Sequence, residues 1–307
     1  MFDYLCEKIT NADFQYKPFK HIEINNLFTT TDFENIIDDN QINFPKFESD
    51  EKLINFLENE NYKSIQFPGC ITNSKDYINW HTNKKGINYN VNTTEGFGMT
   101  YRLMKPNSVI LNNLINFFDS NIFKKAIADK FSINLQDVTF DQGIQKYLDG
   151  YEISPHPDIR LKALTYMINI NPNKDSENLV HHTHYMKFKK EFKYVEEYWK
   201  GNNKSDRCWV PWSWCETEKI QKINNSMVIF APDNNTLHAV KTNYSHLDYQ
   251  RTQIYGNFWW NKSLDKIQQI KSQPKWENYV INQSKQKPRE KIITKISNKL
   301  KNLFQNS

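Results

Sequence analysis

Glycine and cysteine are scarce in this chain of 307 residues. Eight glycines exclude collagen-like and glycine-rich low-complexity structure, because both require glycine at high frequency. The four cysteines, Cys6, Cys70, Cys208 and Cys215, are too few and too scattered for a disulfide framework, and no second Cys/His pair stands at zinc-site spacing. We therefore expect reduced thiols and a cytoplasmic protein.

Long hydrophobic runs are also missing. No stretch approaches the roughly 20 apolar residues that span a bilayer, and residues 1–17 contain acids and no apolar run of signal-peptide length. A mean hydropathy of −0.78 and a hydrophobic content of 38% would by themselves indicate a weak core. The 20 Phe, 16 Tyr and 8 Trp residues supply large apolar side chains, so we expect a globular fold.

Basic charge is concentrated at the C-terminal end. From Lys285 to Lys301 seven basic residues stand against one acid, so this segment accounts for the net charge of +5 and leaves the remainder near neutral. A near-neutral body disfavours nucleic-acid binding. From Pro288 the apolar residues form a helical stripe, and we expect 266–307 to be a basic amphipathic tail. Docking of the stripe on the body or on a second copy in a homodimer is favoured over peripheral contact with an anionic membrane.

The first half of the chain shows mainly helical patterns. Residues 18–28 alternate as a first strand should, and the Thr-Asp-Phe-Glu segment at 31–34 is typical of a capping box that opens a short helix. A second amphipathic helix is predicted at 51–57. Residues 108–131 have apolar side chains at helical spacing, with a break near Ser120.

The pattern changes to strands from Val138. Strands are predicted around Phe140 and at 144–147, 163–170, 226–230 and 250–260, with a helix-like interruption at 189–199. Helices followed by a run of strands indicate a mostly β protein with supporting helices, built on a jelly-roll or double-stranded β-helix core of the cupin-like kind. We expect one domain over 1–265, with an insertion around 173–222.

A pair of metal-ligand residues stands at the centre of this pattern. His156 and Asp158 are two residues apart, and residues i and i+2 of a strand face the same side. His238 follows the predicted strand at 226–230 and is the candidate third ligand. Two histidines and one carboxylate form a facial triad that leaves three positions of an octahedral ion open, as non-haem Fe(II) oxygen chemistry requires.

Arg251 lies thirteen residues after His238. On successive antiparallel strands a hairpin of that length would return it to the metal, where a guanidinium can pair bidentately with a carboxylate. A 2-oxo acid that chelates the ion and also binds Arg251 fits this arrangement. Taken alone, Arg251 would be interpreted as a surface residue on an edge strand.

These residues together resemble the Fe(II)/2-oxoglutarate-dependent dioxygenases, in particular the prolyl 4-hydroxylase-like branch. The likeness covers roughly residues 18–262 and depends on a combined pattern of motifs. The pattern comprises Tyr147-x-x-Gly150-x5-His156-x-Asp158, the strand over 165–171, the strand over 225–230 that leads to His238-x-Val240, and Arg251.

The resemblance implies site residues and cofactors. Fe(II) would be held by His156, Asp158 and His238. The distal carboxylate of 2-oxoglutarate would be bound by Arg251, with Tyr147, Thr165 and Asn169 lining the same pocket. O2 is the implied co-substrate, and ascorbate is a candidate reductant. The implied activity is hydroxylation of a peptidyl residue, a glycan or another small molecule, with release of succinate and CO2. The alternative is a non-redox cupin-like protein that binds metal or carbohydrate.

Two segments depart from the family pattern. Where relatives have a Gly-Gly-Glu-Thr-like segment, this chain has 178–184 with His181, His182 and His184, and it has Gln253 where many relatives have a hydroxyl residue. For the three histidines we favour substrate contact or surface exposure over metal ligation, because histidine is intermediate in burial. The aromatic loop of Trp209, Pro211, Trp212 and Trp214 would either cover the substrate or pack the 189–199 helix on the sheet.

Overall fold

The computed structural model describes residues 2–83, 96–202 and 205–261. The predicted tail at 266–307 lies outside the described residues. Its predicted docking on the body, on a partner copy or on a membrane therefore stays a prediction. Within the described part of the chain, no helix is both long and apolar enough to cross a membrane.

Helices and strands alternate in the first half, and strands dominate the second. The helices are α1 (Tyr4–Asn11), α2 (Thr30–Ile37), α3 (Asp50–Asn59), α4 (Ser74–Asn83), α5 (Val109–Asp119), α6 (Asn121–Lys130) and α7 (Tyr194–Gly201). The strands are β1 (Phe14–Gln15), β2 (His21–Asn25), β3 (Tyr62–Ser64), β4 (Thr100–Leu103), β5 (Val138–Tyr147), β6 (Glu152–His156), β7 (Lys162–Asn169), β8 (Thr183–Phe188), β9 (Cys215–Ile220), β10 (Ser226–Phe230), β11 (His238–Lys241) and β12 (Arg251–Trp260).

The strands form two antiparallel sheets. The larger sheet has the order β1-β2-β10-β7-β12-β5-β4-β3, and the smaller has the order β6-β11-β8-β9. From β5 to β12 the chain passes back and forth between the two sheets, so β5, β7, β10 and β12 belong to one and β6, β8, β9 and β11 to the other. This winding is that of a double-stranded β-helix, a jelly-roll of eight strands, and the predicted fold class is confirmed.

Helices cover the outer face of the larger sheet. Side chains of α5 and α6 join those of β7 and β12 in one buried cluster, which includes Leu114, Phe118, Tyr166 and Ile168. Ser120 ends α5 and caps α6 by accepting a hydrogen bond from the Phe123 N–H at 3.3 Å. The predicted break near Ser120 is therefore confirmed. The covered face leaves the opposite face of the sheet free to line the space between the two sheets.

A segment over 189–214 covers the outer face of the smaller sheet. Met186 and Phe188 of β8 pack against Trp199 of α7, and Trp209, Trp212 and Trp214 pack on the same cluster. The aromatic loop thus makes the packing contacts that one of its two predicted roles requires. The predicted insertion at 173–222 is an addition only in part, because β8 and β9 within it are strands of the smaller sheet.

Some predicted boundaries are wrong. Helix α2 is capped by Thr29, whose side chain accepts from the Asp32 N–H at 3.1 Å, and the predicted box beginning at Thr31 lies inside the helix. Strands β8 and β9 were not expected. Their burial depends on the covering segment, and the exposed polar residues of β9 give no apolar alternation from which a strand is predicted.

Gly256 provides a test of this packing. It lies opposite Tyr166 in the β12–β7 register, and a Cβ at this position would overlap the Tyr166 ring, which is buried against Phe118 and Phe123. We expect Gly256→Ala to lower the free energy of unfolding by at least about 1–3 kcal/mol through overpacking. Gly201→Ala, where no atom would meet the added Cβ, is the control and should change it by less than about 0.5 kcal/mol. Equal denaturant midpoints for the two variants would contradict this account.

Candidate metal and carboxylate site

The His156–Asp158 pair is held by a turn at a strand end. His156 is the last residue of β6, whereas Asp158 follows the strand with a φ of 63°, in the left-handed region. The prediction that strand alternation points the His156 and Asp158 side chains to the same side is therefore wrong in its cause. The left-handed backbone turns the Asp158 carboxylate back towards His156, and its Oδ1 lies 3.6 Å from His156 Nε2.

His238 joins the pair from the neighbouring strand. It stands directly opposite His156 in the β11–β6 register, and the ring centroids are 4.3 Å apart. In both histidines Nδ1 lies at hydrogen-bond distance from a backbone carbonyl, that of Ser154 at 2.8 Å and that of Thr236 at 3.0 Å. A carbonyl only accepts, so each Nδ1 carries a proton, and each Nε2 is the nitrogen left to bind a metal.

Asp158 is kept ionised. Its Oδ1 accepts from Lys162 Nζ at 2.7 Å and its Oδ2 from the Thr165 hydroxyl at 2.8 Å. Burial alone would raise the pKa of Asp158, but the charge of Lys162, with smaller contributions from both histidines, holds it well below its ordinary value. Burial and the neighbouring His156 lower the pKa of His238 to about 3, so that ring is neutral at physiological pH.

The three ligand atoms converge. One atom from each of His156, Asp158 and His238 lies within 4.8 Å of the other two. Two neutral imidazole lone pairs and one carboxylate on one side of a space suit a divalent transition metal of the iron type, with the opposite positions open. The residues present thus fit the metal that the sequence predicts.

A second cluster of Asp50, His81 and His246 has similar proximity. Here the Nδ1 of His246 accepts the Asp149 N–H at 3.1 Å, so its Nε2 carries the proton and donates to Asp50 Oδ1 at 2.7 Å. His81 Nδ1 lies 2.7 Å from the other oxygen of Asp50. The lone pair of His246 is therefore already used, and this cluster is a hydrogen-bonded link between α3, α4 and the loops that precede β6 and β12.

Arg251 reaches the same space from the opposite sheet. It opens β12 in the larger sheet, whereas His238 lies in the smaller sheet, so the expected hairpin between them is wrong. Arg251 is 2% exposed, and its guanidinium carbon lies 4.1 Å from the centre of the Tyr147 ring. Its Nη2 donates to Thr183 Oγ1 at 3.2 Å and to Gln253 Oε1 at 3.0 Å.

The guanidinium has a free end. Among the residues that the structure describes, Nη1 of Arg251 is buried without a hydrogen-bond partner and no carboxylate forms an ion pair with the side chain. Guanidinium groups stay charged in proteins, and a buried unpaired charge is strongly unfavourable. The arrangement is therefore complete only when an anion lies beside Nη1.

The spacing between the two ends of the site follows from the strand register. Tyr185 of β8 stands opposite His238, and Thr183, which binds Arg251, stands opposite Val240, two residues along. Two residues of a strand span about 7 Å. The Thr183 hydroxyl that holds Arg251 therefore lies one such step along β8 from the residue opposite His238.

Tyr147 borders this space through both its ring and its hydroxyl. With the Gln145 amide oriented so that its oxygen accepts from Arg102 Nη2 at 2.8 Å, its nitrogen donates to the Tyr147 hydroxyl at 2.6 Å. The hydroxyl proton of Tyr147 is then available to an anion held by Arg251. The contact of Tyr147 with a co-substrate stays a prediction.

Thr165 and Asn169 lie on the predicted inward face, but neither is placed to contact an anion at Arg251. Thr165 bonds to the metal-ligand carboxylate, as described above. The Asn169 amide donates to the carbonyls of Gln221 and Ile223 and accepts from Gln253 Nε2 at 2.7 Å. Asn169 therefore orients Gln253, which in turn holds Arg251.

The three clustered histidines separate on folding. His181 and His182, which precede β8, are 1% and 4% exposed, so of the two expected roles, substrate contact or surface exposure, the second is wrong for both. His182 Nε2 donates to the Ser176 carbonyl at 3.0 Å. His184 lies on the outer face of β8, where its Nδ1 meets Thr217 Oγ1 at 3.0 Å.

Sequence reasoning did not assign a role to Lys162 or predict a structural role for Gln253. A lysine four residues after a ligand aspartate is an ordinary helical or turn spacing, and only the turn at Asp158 brings the two charges to 2.7 Å. Gln253 was visible as a departure from the family pattern. Its amide oxygen accepts from Arg251 and its amide nitrogen donates to Asn169.

The tautomer difference between the two clusters predicts a single metal site. We expect calorimetry to detect one Mn(II) or Fe(II) ion per chain. His238→Ala should lower the metal affinity by more than about 100-fold, because loss of a residue that only hydrogen-bonds to a metal ligand already lowers it by up to about 100-fold. His246→Ala is the matched control and should retain the ion. Binding of two ions, or retention by His238→Ala, would contradict this assignment.

The buried histidines predict a pH dependence of stability. Burial, with the charge of Arg251 among the lesser causes, lowers the pKa of His181 to about 2 and that of His182 to about 4. Below about pH 6.5 the unfolded chain binds protons that the folded chain does not, so stability is full above that pH and falls as the pH is lowered. Each ring contributes a slope of up to about 1.4 kcal/mol per pH unit.

Urea titrations of the metal-free protein from pH 7 to 4.5 test this dependence. His182→Gln should have a shallower slope than the unmodified protein, by about the contribution of one ring. An unchanged slope would show that His182 is already protonated in the folded state.

Comparison with known proteins gives similarities of shape. No protein-family model matches the sequence, and no curated protein matches it either. A prolyl hydroxylase from Trichoplax adhaerens, solved with a hypoxia inducible factor oxygen degradation domain peptide fragment, aligns over 89% of this chain and 94% of its own at 12% identity and a TM-score of 0.41. A prolyl-4-hydroxylase from Pseudomonas putida aligns over 85% and 100% at 8% identity and the same TM-score of 0.41.

A third solved structure, HygX from Streptomyces hygroscopicus with nickel and 2-oxoglutarate bound, aligns over 68% of this chain and 87% of its own at 6% identity and a TM-score of 0.31. Because identities and TM-scores are this low, the interpretation depends on the strand order and the site. The solved structures that align with this chain thus include two prolyl hydroxylases and a protein with nickel and 2-oxoglutarate bound.

Proposed function

We propose that this protein is an Fe(II)- and 2-oxoglutarate-dependent oxygenase that hydroxylates a peptidyl residue, a glycan or another small molecule. The observation that carries the proposal is the buried Arg251, whose Nη1 lacks a partner in the described residues and which binds Thr183, two residues along β8 from the position opposite His238 of the His-Asp-His triad. A protein that only bound metal would have no physical reason to keep an unpaired cation there.

The side chains of the site have distinct roles in this proposal. Neutral His156 and His238 and ionised Asp158 would hold the metal, with Lys162 and Thr165 fixing the carboxylate. When bound, iron and 2-oxoglutarate would supply the oxidation in which O2, the 2-oxo acid and a substrate C–H bond yield succinate, CO2 and a hydroxylated product.

The chain's contribution beyond the ligands is to orient the co-substrate and exclude water. Arg251 would bind the distal carboxylate by a charge-assisted hydrogen bond. Tyr147, Tyr151 and Val240 pack with Phe67 and Ile153 into an apolar wall on that side of the space. A low-dielectric wall strengthens the pairing of Arg251 with an anion.

The substrate would approach on the His156 side. The ring of Trp209 lies 6.3 Å from that of His156 and is only partly buried, so it offers an aromatic face next to the metal ligands. Such a face suits a proline-like ring, an apolar side chain or a sugar ring. We place the protein in the cytoplasm as part of the proposal, since all four cysteines are free.

Succinate release is the test of the reaction. The protein with Fe(II), O2 and 2-oxoglutarate should produce succinate, increasingly so when a suitable peptide or metabolite is added. His156→Ala should abolish turnover by removing a ligand. Arg251→Ala should mainly raise the 2-oxoglutarate concentration required, by about 100-fold or more, because it removes a charged hydrogen-bond partner.

Two controls separate the alternatives. Lys52→Ala alters a surface ion pair with Glu48 far from the site and should leave turnover unchanged. Full turnover by His156→Ala would overturn the proposal. Metal binding without any affinity for 2-oxoglutarate would instead indicate a non-redox, cupin-like binding protein.

A further inference from the structure

His181 is a buried polar side chain whose ring nitrogens both lack partners. It is 1% exposed, and within the described residues neither Nδ1 nor Nε2 has a hydrogen-bond partner. Buried polar groups are almost always satisfied, and leaving one unpaired is costly. The ring nitrogens therefore indicate a partner that is not part of the described chain.

The segment around His181 is connected to Arg251 through Asn243 and Tyr244. The preceding Val180 forms a bridge with Asn243, whose N–H donates to the Val180 carbonyl at 2.7 Å. The His181 ring meets Tyr244 edge-on with centroids 5.0 Å apart, and the Tyr244 hydroxyl accepts the Arg251 N–H at 3.3 Å. These contacts tie the segment before β8 to the loop that leads into β12.

Burial sets the protonation state of the His181 ring. Burial is the main cause that lowers the pKa of His181, followed by His182 and then by the charge of Arg251, while the residue's own carbonyl opposes them weakly. The imidazole is therefore neutral, with one nitrogen as a donor and the other as an acceptor. Arg251 Nη1 and the His181 N–H are thus unpartnered donors in one region of a buried site.

We propose that His181 donates a hydrogen bond to the distal carboxylate of the 2-oxo acid, beside Arg251, and so selects a dicarboxylate co-substrate. This inference rests on the proposed function, which supplies the 2-oxo acid. A carboxylate has two oxygens with four acceptor positions, enough for Arg251, His181 and the Tyr147 hydroxyl together. His181 is in this respect a co-substrate-binding residue.

The neighbouring histidines provide internal comparisons. His182 has its donor satisfied by the Ser176 carbonyl, so it needs no external acceptor. His184 points to the outer face of the smaller sheet and contacts Thr217 and Trp212. The unpartnered ring is thus specific to His181 among the three.

Calorimetry on the Mn(II)-loaded protein without O2 tests the inference independently of turnover. The two probes are 2-oxoglutarate and 2-oxopentanoate, which has the same chain length and lacks the distal carboxylate. We expect His181→Phe to weaken 2-oxoglutarate binding by about 10- to 100-fold, as the loss of a hydrogen bond to a charged group should. Binding of 2-oxopentanoate should stay within about 2-fold, since its chain has no group for His181 to bind.

Two further variants keep the outcome interpretable. His181→Gln retains a hydrogen-bond donor and should lose less affinity for 2-oxoglutarate than His181→Phe. This second variant also tests the inference if the aromatic replacement disturbs folding. His184→Gln, on the outer face of β8, is the matched control and should bind 2-oxoglutarate as the unmodified protein does.

The possible failures are distinguishable. If the unmodified protein binds no 2-oxoglutarate in the presence of Mn(II), the proposed function is wrong, and this inference with it. If the unmodified protein binds 2-oxoglutarate and His181→Phe binds it equally well, or loses both probes to the same extent, only the role of His181 is wrong.

Discussion

The register of β12 against its two neighbours is the constraint on which the site depends. It sets Arg251 opposite Tyr147 on β5, Gln253 opposite Asn169 on β7, and Asn257 opposite Thr165. A slip of one residue would turn every one of these side chains to the helix-covered face. Gly256 and Tyr166 specify the register from that other face, because the Tyr166 ring fills the place of a Cβ at Gly256.

The two ends of the site differ in charge balance. At the metal end Asp158 is paired with Lys162, and the histidine protons are directed to carbonyls, so that the two ring lone pairs face the carboxylate. At the other end Arg251 has polar neighbours that orient it and none in the described residues that neutralises it. One end of the site thus presents a carboxylate that is already paired with a lysine, and the other presents a buried cation without a counter-ion among the described residues.

Hydrogen-bond direction separates the two His-Asp clusters more clearly than proximity does. His238 and His246 both lie close to a carboxylate. The Nδ1 of His238 donates its proton to a backbone carbonyl, whereas the Nδ1 of His246 accepts a hydrogen bond from a backbone N–H. The Asp50 cluster instead joins the helical layer to the loops at Asp149 and His246, and so supports the positions of Tyr147 and Arg251 from behind. Burial tends to raise the pKa of Asp50, and the hydrogen bonds from His246 and His81 outweigh this and lower it.

The sequence alone supplied the candidate ligands and the candidate anion-binding residue, and the tertiary structure decided how they are brought together. Residue types and spacing identified His156, Asp158, His238 and Arg251, because ligand chemistry and apolar periodicity are local properties of a chain. Strand alternation was nevertheless the wrong cause for the first pair, and a hairpin the wrong route for Arg251. The first depends on a left-handed turn at Asp158, and the second on the passage of the chain from one sheet to the other between β11 and β12. Neither has a local sequence signal. The burial of His181 and the contacts of Gln253 also needed the fold, since they arise where β8 and β12 from different sheets face each other.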